Sequence, residues 1–179
     1  MNAVRILRPE PSEYAAYFSR YIDQLPQGDI LTVLRTQGEE TQSTLGALSE
    51  TDAQFRYAPG KWSIKHIVGH LTDTERIFGY RALCFARGEK QRLPGFDENE
   101  YVAAASFDRR SLADHLTEFR AVRAATLSFF SGLSQEELLR RGTANQWEYT
   151  VRATPFIVAG HERHHLGVIR ERYLGGKKR

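Results

Sequence analysis

Cysteine is almost absent from this 179-residue chain, where Cys84 is the single thiol. One cysteine excludes an intrachain disulfide and every multi-cysteine metal motif, and it fits a reducing, cytoplasmic setting. Long apolar runs are missing as well. Nothing approaches the roughly 18 consecutive apolar residues of a membrane span. Arg5, Arg8 and Pro9 interrupt the N-terminal segment before a signal-peptide core could form. A soluble protein without a membrane partner is therefore expected. No Gly-x-Gly occurs, which removes the dinucleotide fingerprint, and Gly60-Lys61 and Gly176-Lys177 lack the phosphate-loop glycine five residues before. Charge of one sign is also scarce. Lys and Arg number 25 against 22 Asp and Glu, with no internal basic run interleaved with aromatics, so no nucleic-acid partner is expected.

What remains is an ordinary globular composition, 41% hydrophobic and 26% charged. At about 150 residues per domain the chain reads as one domain over residues 1–179. A domain of that size buries about 68–70% of its unfolded surface, so it needs no metal merely to hold together. The dominant periodicity is helical. Ile30, Leu34, Gln37, Thr41, Leu45 and Leu48 recur at steps of three and four, which predicts a helix from about Asp29 to Leu48. A short helix around Ser12 to Gln24 is expected to pack outside it. Ser63 reads as the N-cap of a second long helix running to about Arg87, and Leu112, Leu116, Phe119, Thr126, Phe130 and Leu133 mark a third. Ser134 with Glu137 starts a short piece, and Thr154-Pro155 reads as the N-cap and first residue of a last helix ended by Gly175-Gly176. Four long helices predict an all-α four-helix bundle with extra short helices and long connections.

The densest chemistry lies in Gly160-His161-Glu162-Arg163-His164-His165. At about 100° per residue from His161, His165 falls at about 40° and Ile157 at about −40°, so two imidazoles sit inside an apolar stripe. Polar rings there are costly unless partnered, and a four-residue step lets both reach one ion. His70 is the candidate third ligand, with His66 one turn earlier as its competitor. His115, beside Asp114, reads as a solvated residue. The same letters spell the H-E-x-x-H of zinc proteases, but the long form of that motif asks for Gly at 168 and His at 171, where the chain has Val168 and Glu171.

PGKWSIKHIVGHLTDTERIFGYRAL and GTANQWEYTVRATPFIVAGHERHHLGVIRERYL together resemble the two motif regions of the DinB-like (DinB/YfiT) superfamily. The resemblance implies a four-helix bundle holding one divalent transition metal (Zn, Ni, Fe or Cu) through His70, His161 and His165. It also implies an enzyme: a low-molecular-weight thiol S-transferase with the thiol as cosubstrate, or alternatively a metal-dependent hydrolase or a non-catalytic stress or interaction protein. Asp73, Glu162 and His164 are the candidates for orienting the imidazoles. A small-molecule substrate is expected. Phe96 and Tyr101, on a connection from Gly88 to Phe107 that shows no helical period, are candidates to touch it. They could equally pin a crossover or form a homodimer contact. Arg172, at about 20° on the His161 line, could meet an anionic substrate or snorkel from the bundle end. Trp62 is expected to fix the entry of the second helix, Trp147 to pack under the connection, and Cys84 to be a small buried residue.

Overall fold

A computed structural model describes residues 5–175. Its N-terminal part runs through 3-10 turns at Pro11–Glu13 and Ala16–Phe18 into the single turn α1 (Ser19–Ile22). There follow α2 (Ile30–Gly46), α3 (Glu50–Gln54), α4 (Ile64–Ala86), α5 (Glu98–Ala104), α6 (Leu112–Ser131) and α7 (Gln135–Leu139). A hairpin of β1 (Arg141–Ala144) and β2 (Trp147–Thr150) leads into α8 (Ala153–Val168), which continues as a π-helical segment, Ile169–Leu174. Among the described residues no helix is long and apolar enough to cross a membrane.

The four long helices form the expected bundle. α2 packs on α6 and α8, and α4 packs on the same two, which leaves α2 and α4 on opposite corners. Consecutive long helices are thus not always neighbours, and residues 47–63 and 132–152 must each cross an end of the bundle. Side chains start the helices where the sequence predicts. Asp29 accepts from the Thr32 amide, Ser63 from His66, and Ser111 with Asp114 and Ser134 with Glu137 form capping boxes. Each such cap contributes about 1 kcal/mol.

Several elements differ from the sequence reading. The segment expected to pack outside instead buries Phe18 and Ile22, because α1 lies against α8. That approach needs Gly160: a Cβ there would sit 2.3 Å from the Tyr21 carbonyl oxygen. α8 begins at Ala153 rather than after Thr154. The Thr150 hydroxyl accepts from the Ala153 amide at 3.1 Å, and Pro155 falls within the first turn, where no intrahelical N–H bond is lost. The expected stop at Gly176 lies outside the described residues. The hairpin was not anticipated because four-residue strands are too short to show alternation. Its signal is Asn145, which takes φ 56° at the turn, a conformation asparagine tolerates better than most residues.

The four long helices also meet through buried polar groups. Arg123 on α6 donates to both Glu75 oxygens on α4 at 2.8 Å, to Glu162 on α8 at 2.9 Å and to the Leu34 carbonyl on α2 at 2.7 Å. Gln37 and Thr41 on α2 complete the shell of Glu162 at 2.6 and 2.5 Å. Burial alone would disfavour the Arg123 cation, but the Coulombic pull of Glu162 and Glu75 overrides it and raises its pKa.

Candidate metal centre

His70 projects from α4, and His161 and His165 project from one face of α8, so the three rings meet across the seam between these helices. The Nε2 atoms of His70 and His165 each lie 3.1 Å from Nε2 of His161. Imidazole nitrogens bound about 2.0–2.1 Å from one ion are separated by roughly 3–3.4 Å at ordinary ligand angles, so the donor set fits a transition metal. Among the described residues, these are the group of three His, Cys, Asp or Glu residues whose ligating atoms converge. Burial favours the neutral, ligating form of each ring. It lowers His70 to about 4 and, with help from His70 and His164, lowers His165 to about 3. His161 is lowered well below the ordinary imidazole value by burial and by the other imidazoles. Thr74 Oγ1 approaches the remote ring nitrogen of His70, Nδ1, at 3.5 Å.

Three neighbours escaped the sequence reading. The Trp62 ring packs against His70 with centroids 4.9 Å apart and stacks on His165 at 6.4 Å, so it walls the centre as well as preceding α4. Tyr21 meets His161 edge-on at 5.6 Å. Glu98 on α5 brings a carboxylate oxygen to 3.9 Å from His70 Nε2. A signal for Glu98 was present, since Asp97 caps α5 by accepting from the Asn99 and Glu100 amides, as Asp before acidic first-turn residues suggests. That helix interrupts the connection from Gly88 to Phe107, whose sequence shows no helical period.

The other expected residues are dispersed. Glu162 faces away from the imidazoles into the bundle and is held by Arg123, Gln37 and Thr41. Asp73 faces Arg76 at 3.6 Å and reaches none of the three rings. His164 is exposed, its ring 5.2 Å from that of His165. Arg172 is exposed beside Glu171 at 3.2 Å, because the π-helical segment breaks the 100° phase that would have aligned it with His161. His66 turns to Ser63 and Asp108 rather than to the cluster. His115 is buried, not solvated: its Nε2 pairs with the Phe107 carbonyl oxygen at 2.8 Å. Cys84 is only half-buried.

A cavity of about 340 Å³ opens beside the cluster, with His70, His161, Phe96, Trp147 and Glu98 in its wall. Trp147 thus lines a cavity and stacks on Tyr17 at 5.1 Å rather than lying under the connection alone. Tyr101 does not reach this cavity; it stays half-exposed and packs on Phe96, centroids 5.1 Å apart. A smaller cavity of about 230 Å³ reaches His165 and Trp62 from another side, and Asn99 borders both.

A helical bundle that converges three neutral histidines beside a cavity belongs to the class of bundle proteins with metal-type sites between facing helices. The family model of the DinB superfamily matches residues 33–169, and the chain belongs to that superfamily. Among solved structures it is similar to YfiT from Bacillus subtilis, described as a probable metal-dependent hydrolase with an unusual four-helix bundle topology. The two share 15% sequence identity, cover 84% of each chain and superpose with a TM-score of 0.72. At that identity the likeness concerns the fold. No curated protein sequence matches the chain significantly.

Proposed function

We propose that the protein is a metal-dependent enzyme that activates a small nucleophile at His70, His161 and His165, with thiol S-transfer as the first reading. The observation that carries the metal is that His161 Nε2 lies 3.1 Å from the Nε2 atoms of both His70 and His165, with the rings held neutral by burial. A divalent ion there would supply Lewis acidity, making a thiol or a water more acidic near neutral pH. The chain's own residues divide the remaining work. Trp62 and Tyr21 shield the imidazoles, and the Glu98 carboxylate stands where it can accept the nucleophile's proton.

Transfer is favoured by the two cavities that meet the same histidine cluster, since a thiol and an electrophile need separate berths. In that reaction the sulfur forms a bond to the electrophilic carbon, the leaving group departs with its bonding pair, and the thiol proton passes to Glu98. A reducing cytoplasm, suggested by the lone Cys84, would keep such a thiol reduced. Hydrolysis is the second reading, supported by the description of YfiT and by a carboxylate suited to take a proton from water. Metal-loaded protein offered bacillithiol, mycothiol, glutathione or cysteine with an electrophile should turn over only when a thiol is present. Turnover of esters or amides with water alone would instead establish hydrolysis.

A further inference from the structure

The larger cavity holds a second polar feature away from the histidines. Arg81 on α4 is 6% exposed, and its Nη2 donates to the Pro94 carbonyl oxygen at 2.8 Å. Its guanidinium otherwise lies near the rings of Phe78 and Phe96, 5.2 and 5.7 Å from their centroids, and no carboxylate pairs with it among the described residues. The two acids in the same wall are engaged elsewhere: Asp97 caps α5 and Glu98 faces His70. Tyr149 on β2 is 1% exposed and lines the same cavity, and among the described residues its hydroxyl proton has no acceptor. Burial pushes that phenol to about 12, while the neighbouring Arg81 acts in the opposite direction through its charge and as a donor beside the phenolic oxygen; a guanidinium offers the hydroxyl proton no acceptor.

A buried cation without a counter-ion and a buried hydroxyl without an acceptor are each unfavourable alone, and one anionic oxygen group would satisfy both. We propose that Arg81 and Tyr149 form an anion subsite that binds a carboxylate or phosphate group of the substrate, at the end remote from the histidines. This deepens the enzymatic reading and rests on it for the identity of the ligand as substrate. The placement along α4 supports the assignment. Eleven residues separate His70 from Arg81, which returns the side chain to within about 20° of the same helix face. The helix rises about 16 Å over that interval, and a long side chain shortens the gap by leaning towards the helix N-terminus. The ligand is therefore an elongated molecule, anionic at one end and reactive at the other, with its middle against aromatic rings.

Calorimetric titration of metal-free and zinc-loaded protein with 3-phenylpropionate, phenyl phosphate and the neutral 3-phenylpropionamide tests this. Metal-free wild type should bind at least one of the anions saturably and about tenfold or more tighter than the amide; the tighter anion identifies the group. Arg81→Met should remove that preference, Tyr149→Phe should reduce it, and zinc uptake should be unchanged in both. Tyr149→Phe keeps the buried ring, and Arg81→Lys keeps the charge, so a folding failure in Arg81→Met does not end the test. No saturable anion binding by wild type, equal affinity for anion and amide, or an undiminished preference in the folded variants overturns the subsite. Failure of zinc uptake with anion binding intact would overturn the metal reading alone.

Discussion

Replacing Arg123 by Met exposes how the bundle supports its centre. The side chain is buried with Glu75 and Glu162, and the substitution removes two hydrogen bonds to Glu75, one to Glu162 and one to the Leu34 carbonyl. Met fills similar volume, so cavity formation is a minor part of the cost. The main loss is that two buried carboxylates face each other without their cation. Breaking a buried ion pair in this way costs about 3–5 kcal/mol, whereas replacing all partners together with apolar groups is often neutral. At about 2–4 °C per kcal/mol for a domain of this size, the melting temperature should fall by roughly 6–20 °C. Urea unfolding monitored by circular dichroism gives the same quantity as a shifted midpoint with an unchanged slope. A loss below about 1 kcal/mol, against the value expected for a buried pair, would refute the view that this network ties α2, α4, α6 and α8 together. It would also reopen Glu162 as a group available to the histidines.

Metal-free protein should lose stability on mild acidification. Burial lowers His70 to about 4 in the folded chain against 6.5 in the unfolded chain, so well above 6.5 neither state binds the proton. Below 6.5 the unfolded chain takes it up first, and stability falls until about pH 4, by up to roughly 3 kcal/mol for this group. His165 acts in the same direction, and a urea midpoint that stays flat between pH 7 and pH 5 would contradict this assignment. Glu98→Gln should keep metal uptake and lower turnover by about 10²–10⁴-fold, the range for a lost general base. Unchanged turnover removes Glu98 from the chemistry, and lost metal would make it a ligand.

The long helices were legible because their apolar stripes and caps agree, as at Ser63 and the Ser134 capping box. His161 and His165 were legible because a four-residue step inside an aliphatic stripe is hard to explain by burial alone. Glu162 was misread for a related reason. One residue from His161 means about 100° of rotation, which turns its carboxylate to the bundle centre instead of to the ring beside it in sequence. His70 was legible as the third ligand because it borders the apolar stripe, but His66 a turn earlier stayed its competitor, and it is the packing that sends His66 to Asp108. Trp62, Tyr21 and Glu98 come to the centre from three separate segments, and no local pattern encodes such a meeting. The Tyr149 hydroxyl reaches its cavity on a hairpin whose strands are too short to announce themselves.

Metal uptake tests most directly the proposal that His70, His161 and His165 together hold one ion. Untagged protein stripped with chelator should take up about one zinc or nickel ion per chain in calorimetric titration, with bound metal confirmed by elemental analysis. His161→Ala, which removes the nitrogen shared by both 3.1 Å contacts, should stay folded and lose that uptake. Stoichiometric binding of equal affinity in the folded variant, or none in the wild type, would contradict the account.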